Sequence, residues 1–533
     1  MRGTPWSSGC HVRCTDGTCA APSCHLGLTT PGPVPGSSSP DHRSCGAGNV
    51  GALVSRTSAG WLHASSPAYV APIRQTSAMD NFEVYGSWWI PGGAPTTGKL
   101  SFSEKGPVLT LYGALLSQEV PGGELSGPAE WGTLPLIHGR DEQQRSITLL
   151  GAFGMTSQWP EITEQTFDAE LAVIGDHLMD ADFSGIRSDF DYLADWVGAP
   201  PVSKRQKEPR ATLIDDKIAE CVSTTWGDAS LAIRSGVIGS SDEAHVSVRR
   251  WCAFSAESGS PQRWSELLES YLRPFHDLLL LSLGRELRMR DVELRPEGSE
   301  EWMSAYFRTL APGSVVESSI SSYRAPTLLT AEDSPVPLSE LLPRWFDLYQ
   351  DRQTVIALLH APLYAPFTYS AHRYASFFQI LEAYHRVKKN EFGSKDVSKQ
   401  EHGARVKLVV SALDAAGLPQ DHVQWTKNVI QGRNDKSLKE QIVDVVSSTG
   451  KLGQIILAAV PDFPTLVYNA RTGVSHGGAD KGPSATQRYW CGEVLLWLMR
   501  VRLLQDLGIT DSDARALRNT RFQDSLKQLS IGM

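Results

Sequence analysis

Between residue 80 and about residue 200 the chain alternates apolar and polar positions in short runs that break at turn residues: FEVYGSWWI, then PGG, KLSFSEKG, VLTLYGALL and, further on, SITLLGAFG and TFDAELAVIG. A period of two sends successive side chains to opposite faces, so these runs predict antiparallel strands with one buried and one wet face. The alternation is clearest in KLSFSE and LTLYG. FSGIRSDFDYLADWVG lacks it and reads as a helix or an irregular segment. Strand-like runs resume in ATLIDDKIAECVSTTW, LAIRSGVI and HVSVRRWCAF. WSELLESYLRPFHDLLLLSLG is apolar at helical spacing and predicts a buried helix inside a mixed domain.

From about residue 336 the period lengthens. PLSELLPRWFDLYQDRQTVIALLHAP, YASFFQILEAYHRVKKNEF, GARVKLVVSALDAAG, LKEQIVDVVSSTGKLG and TQRYWCGEVLLWLMRVRLLQDLG all read as helices. PLSE marks a start, AAG and STG mark stops, and Asp462-Phe463-Pro464 a break. Residues 1–78 show neither period and contain TTPGPVPGSSSP, the composition of a disordered segment or of a mis-called leader, with translation beginning at Met79. The expected fold is α+β and multidomain. A β-rich region spans 79–325 as one or two domains, and an all-α bundle spans 336–533.

Composition narrows the function classes. A chain of 533 residues, 41% hydrophobic and 20% charged, suffices for two or three globular domains. No run reaches the roughly 18–20 consecutive apolar residues of a bilayer span, and no apolar segment of signal-peptide type follows the first Arg, so a cytoplasmic address is expected. Of eight cysteines, Cys10, Cys14, Cys19, Cys24 and Cys45 crowd the leader, leaving Cys221, Cys252 and Cys491 for a reduced body. A zinc knuckle at Cys10, Cys14, Cys19 and Cys24, with His11 and His25, would lack the paired CxxC of structural zinc sites. The net charge of -9 is uneven: from residue 340 onward 24 Lys and Arg stand against 19 Asp and Glu, which leaves -14 upstream. The C-terminal third therefore tolerates a nucleic acid without demanding one.

One constellation carries chemistry. PTLVYNARTGVSHGGADKG places Arg471 and His476 five residues apart around Gly473. On an uninterrupted helix five residues turn about 500°, so the side chains diverge by about 140°. A helix end between them, at Gly473, is the expected way for them to share a site. A neutral imidazole can take the proton from an RNA 2′-hydroxyl, while a guanidinium grips the phosphate and offsets the charge of the transition state. No HExxH, P-loop or acidic ladder suggests a metal or another cofactor.

RTGVSH matches the R-x4-6-H motif of HEPN ribonucleases, and YNARTGVSHGG with the final long helix resembles the ApeA-type HEPN domain of bacterial anti-phage proteins. FEVYGSWWIPGG, GKLSFSEKG, LTLYGAL and VIGDHL are similar to the N-terminal domain that accompanies such modules, so the resemblance covers roughly residues 80–533. It implies a homodimer whose motifs converge and an RNA substrate, tRNA among the candidates. It also implies a phage-derived trigger, His476 as general base and Arg471 on the phosphate. The family's first long helix often carries an acid near the active Arg, which makes Glu382 a candidate orienter; Glu382 also suits an i, i+4 pair with Arg386. Thr472 stands where many such motifs have Asn, and it can still donate a hydrogen bond.

Other residues invite structural readings. Of the adjacent Trp88 and Trp89, one is expected in the core and one at an interface, the alternative being a ligand-binding role. His177 reads as a turn cap and His385 as a surface residue. Cys252 and Cys491 are weak nucleophile candidates, because Cys491 lies in an apolar helix. A non-catalytic RNA- or protein-binding module with a ligand-binding β-rich head is the competing function.

Overall fold

The computed structural model describes residues 81–532 apart from 120–124, 129–130, 160–161, 199–204, 209–210, 214–218, 242–245, 309–326, 365–369, 394, 396 and 477–481. The leader and its cysteines lie outside the described residues.

Thirteen strands form one sheet: β1 (Phe82–Trp89), β2 (Thr96–Ser103), β3 (Gly106–Leu111), β4 (Trp131–Asp141), β5 (Ser146–Trp159), β6 (Ile162–Asp168), β7 (Leu171–Gly175), β8 (Asp182–Phe190), β9 (Ala219–Trp226), β10 (Ala229–Ser241), β11 (Val246–Arg263), β12 (Met289–Pro296) and β13 (Met303–Phe307). Their order is β9-β10-β11-β8-β12-β13-β7-β5-β4-β1-β2-β3-β6, and β6 pairs again with β5. That second pairing closes β5-β4-β1-β2-β3-β6 into a barrel, so none of these six strands presents a long free edge. The alternation in β2 and β3 becomes the barrel wall: Leu100, Phe102, Leu109 and Leu111 point inward beside Trp88 and Phe167.

One strand serves both the barrel and the open part of the sheet. In β5, Ser146 to Leu150 pair with β7, while Phe153 to Trp159 pair with β6. The switch falls at Gly151, where φ is +60° and a Cβ would sit 2.7 Å from the Glu170 carboxylate. Only glycine meets both conditions easily. The segment expected as a helix or irregular, FSGIRSDFDYLADWVG, is largely β8, a central strand flanked by β11 and β12, followed by one helical turn. A strand covered on both faces has no polar face to alternate, which is why its pattern misled.

The predicted buried helix, α1, runs through Trp264–Leu267, a π-helical turn at Leu268–Leu272, and Arg273–Leu283. The helical part follows as α2 (Leu338–Tyr364), α3 (Ser370–Val387), α4 (Lys399–Ala415), α5 (Gln420–Gln431), α6 (Leu438–Ser448), α7 (Lys451–Ala459), α8 (Phe463–His476), α9 (Ala485–Asp506), α10 (Ser512–Arg518) and α11 (Thr520–Ile531). The Gly417 and Gly450 stops adopt φ of +72° and +71°, the left-handed conformation that ends helices.

A single apolar core joins the two parts. Phe254 of the sheet stacks on Phe275 of α1, and the same cluster continues through Trp345 and Phe346 of α2 into Leu495 and Leu498 of α9. Polar contacts follow the same seam. Asp277, buried in α1, accepts hydrogen bonds from Tyr349 (3.0 Å), His360 (2.9 Å) and Tyr364 (2.6 Å) of α2. Burial opposes ionisation of Asp277, but the charge and hydrogen bond of His360 and the Tyr364 hydroxyl outweigh it and hold the carboxyl below its ordinary value.

The C-terminus of α1 is closed by α9. Arg500, 2% exposed, donates from Nε to the Leu281 carbonyl (2.8 Å) and from a terminal nitrogen to the Ser282 carbonyl (3.0 Å). A cation there meets the negative end of the helix dipole, while burial lowers the guanidinium pKa to about 9. Gly284, at φ +64°, leaves room for it; a Cβ there would lie 2.2 Å from the guanidinium.

Two outcomes follow. A fragment of residues 336–533, stripped of α1 and the sheet, should aggregate where the full chain elutes as a discrete species; a monodisperse, cooperatively melting fragment would show that the bundle does not need the shared core. Gly284→Ala should cost about 2–4 kcal/mol of stability from strain plus clash. Gly298→Ala should cost only about 1 kcal/mol, because its φ of +72° is similar but its surroundings are open. Thermal midpoints compare the two.

Candidate functional site

The candidate pair sits on α8, which starts at the Asp462-Phe463-Pro464 break. Phe463, Leu466, Val467 and Ala470 are buried on one side of it, against α3 and α6. Taking Arg471 as zero, these four lie at about 220° to about 320° around the helix, so Arg471 stands at the margin of the buried arc. The expected interruption at Gly473 is absent: α8 runs through it to His476. A glycine near a helix end costs only about 1 kcal/mol against Ala, and with α8 unbroken the positions of Arg471 and His476 stand about 140° apart around the helix. The side chains of residues 473–476 lie outside the described ones.

Glu382 of α3 meets Arg471. Its Oε2 accepts from an Arg471 terminal nitrogen at 3.3 Å, and its Oε1 accepts from Arg386 at 3.2 Å. The i, i+4 pair with Arg386 is present, and the same carboxylate reaches Arg471. Two guanidiniums share one carboxylate, leaving this group with an excess positive charge. Arg471 is 32% exposed on its side chain, and its Nε is buried without a hydrogen-bond partner. A partly exposed guanidinium held by one carboxylate can still take up a second anion.

Thr472, the other candidate orienter, turns its hydroxyl back along α8. Its hydroxyl donates to the Tyr468 carbonyl one turn back, at 2.9 Å, the usual fate of a helical threonine. His385, expected at the surface, is buried and pairs through Nε2 with Asp444 at 3.0 Å, joined by Lys436 at 2.6 Å. Polar residues on α3 turn inward because α6 supplies the partner, which the local sequence does not reveal.

A second network holds α3 in place. Tyr384 donates to Asp506 of α9 (2.8 Å) and accepts from Arg502 (2.8 Å), while Lys388 and Arg352 reach the same carboxylate at 2.9 and 3.4 Å. Arg352 lies at a non-helical kink inside α2. Glu382 is two residues from Tyr384, so its carboxylate rides on a braced segment. No sequence motif announced Asp506 or Arg352.

The remaining candidates lie apart. Trp88 is fully buried in the barrel, where Gly139 makes room for its ring, and it offers a ligand no surface. Trp89 is half-buried, edge-on to His177 at 5.2 Å and to His138 at 6.2 Å. His177 secures its turn through Nε2 to the Gly139 carbonyl at 2.8 Å. Burial pushes the Cys491 thiol well above its ordinary pKa, and Cys252 is equally enclosed, so neither resembles an activated nucleophile. Among the described residues no three His, Cys, Asp or Glu side chains are grouped to hold a metal ion, and no helix is long and apolar enough to cross a membrane.

Compared with known families, residues 83–345 match the model of ApeA N-terminal domain 1, and residues 375–513 match that of the Apea-like HEPN domain. No curated protein and no solved structure matches the chain.

Because Arg471 and Glu382 are each about one-third exposed, their ion pair should add no more than about 1 kcal/mol. Glu382→Gln should therefore leave the thermal midpoint within about 2 °C of the parent. His385→Ala, which leaves buried polar groups unpaired, should lower it by about 5 °C or more.

Proposed function

The chain belongs to the ApeA-like HEPN family, and from that premise we propose that it is a metal-independent endoribonuclease of anti-phage, abortive-infection defence. HEPN domains are in general of ribonuclease type. The observation that supports catalysis is Arg471: a partly exposed guanidinium, tied to Glu382, five residues before His476 on one helix.

In the proposed reaction the His476 imidazole removes the 2′-hydroxyl proton of the substrate. The 2′-oxygen attacks the adjacent phosphorus, and the bond to the 5′-oxygen of the next nucleotide breaks. A 2′,3′-cyclic phosphate remains, and the leaving oxygen takes up a proton. Arg471 binds the nonbridging oxygens and offsets the charge that accumulates on them. Glu382 acts before the chemistry by fixing the guanidinium, and it yields part of its hold as the phosphate arrives.

The same proposal makes the active form a homodimer in bacterial cytoplasm, with two α8 segments brought together, and makes RNA the substrate, tRNA included. The β-rich region is the sensor for a phage-derived trigger. Its restraint would act through the core that α1 shares with α2 and α9.

The test incubates the full chain with total bacterial RNA and, separately, with tRNA in the presence of EDTA. Cleavage should persist with EDTA and fall by at least about 100-fold in His476→Ala, with a similar loss in Arg471→Ala. In cells both variants should abolish toxicity while thermal midpoints stay unchanged. Cleavage indifferent to His476, or defence retained by His476→Ala, would overturn catalysis and favour the binding module.

A further inference from the structure

The barrel carries a compact apolar area on its outer wall. Trp131 of β4 is 69% exposed, and Met155 and Phe153 of β5 are 54% and 43% exposed. Register brings the three together: Trp131 pairs with Met155 across the β4–β5 ladder, and Phe153 stands two residues along on the same face. Single exposed apolar side chains are ordinary, whereas two aromatics and a methionine on adjoining positions have the composition of a binding patch. Acids frame it. Asp168 of β6 lies directly across from Phe153, and Glu164 follows on the same face of β6, one pair beyond Met155. The Glu170 carboxylate lies over Gly151, two residues before Phe153. None of the positions paired with Met155 or Phe153 in the two ladders is Lys or Arg.

Because β5 and β6 close the barrel, a partner cannot add a strand here and must be recognised through side chains. The acidic fringe selects its charge. RNA or an anionic lipid surface would bring phosphates against Glu164, Asp168 and Glu170. A second copy docking the same face across a two-fold axis would set these acids against themselves. The chain before residue 340 carries a net charge of -14, so the longer-range field acts in the same direction. We propose that this face of the barrel docks a basic segment of a partner protein, with one apolar side chain seated among Trp131, Met155 and Phe153 and flanking Lys or Arg meeting the acids. The inference deepens the sensor reading given above by naming the surface and the partner's chemistry, and it rests on that reading only for the partner's origin.

The experiment titrates the full chain, by fluorescence anisotropy, into a labelled peptide of about 12 residues in which lysine and leucine alternate, and into its counterpart with glutamate for lysine. The lysine peptide should bind, and the glutamate peptide at least about 10-fold more weakly. Trp131→Ser should weaken the lysine peptide by about 30-fold or more, the loss expected when an aromatic anchor is removed. Asp168→Asn should weaken it by a smaller factor that shrinks as salt is raised. Trp425→Ser, which removes a tryptophan 68% exposed on α5, is the control and should bind like the parent. Thermal midpoints of all three variants should stay within about 3 °C of the parent, because the side chains are exposed. No binding of the lysine peptide, equal binding of the glutamate peptide, unchanged binding in Trp131→Ser, or an equal loss in Trp425→Ser would each overturn the proposal. Defence against phage in cells separates the two readings: were Trp131→Ser to lose the peptide yet defend as the parent does, the docking face would stand and its part in sensing would fall.

Discussion

A positive charge buried at the end of a helix constrains most of this molecule. Arg500 enters from α9, far along the chain, and closes the last carbonyls of α1, a helix of the β-rich half. Removing a guanidinium from water is unfavourable, as the lowered pKa of Arg500 records, and the carbonyls with the helix dipole offset that cost only if their geometry is kept. Gly284 must then be glycine, α1 must end where it does, and α9 must lie at a fixed height against it. The apolar cluster around this contact contains residues from the sheet, α1, α2 and α9. The boundary suggested by texture near residue 336 is thus a change of secondary structure within one packed body.

The candidate site stands at the other end of the same chain of contacts. The α9 helix braces α3 through Asp506 and Tyr384, α3 carries Glu382, and Glu382 holds Arg471. Each link is a short, directional contact between elements distant in sequence. A displacement of α1 relative to the bundle would have a continuous route to the guanidinium. Such a route is spatial, and it earns the name of regulation only when two states are observed.

The sequence made some of this legible and hid the rest for identifiable reasons. Strands β2 and β3 declared themselves because the barrel buries one face only, and α9 because its apolar run is long. Strand β8 did not, since it is covered on both sides. The α4–α5 hairpin was half seen: only Val406 and Val423 are buried in it, and α5 leaves Trp425 in the open. Arg471, His476 and Glu382 could be singled out by type and spacing together with the resemblance. The continuation of α8 through Gly473 could not, because glycine argued locally for the opposite. His385, Arg352 and Asp506 acquire their roles only from partners elsewhere in the chain.

The shared core also bears on how the protein comes into being. A ribosome delivers the sheet and α1 well before α8 and α9, and N-terminal parts of a chain generally fold first during synthesis. The helix that carries Arg471 and His476 is thus born facing a surface already assembled, and α9 finds the open end of α1 waiting for its guanidinium. Synthesis order and packing order coincide. A truncated transcript or a stalled ribosome would yield the β-rich half without α8, never α8 without the surface it packs on.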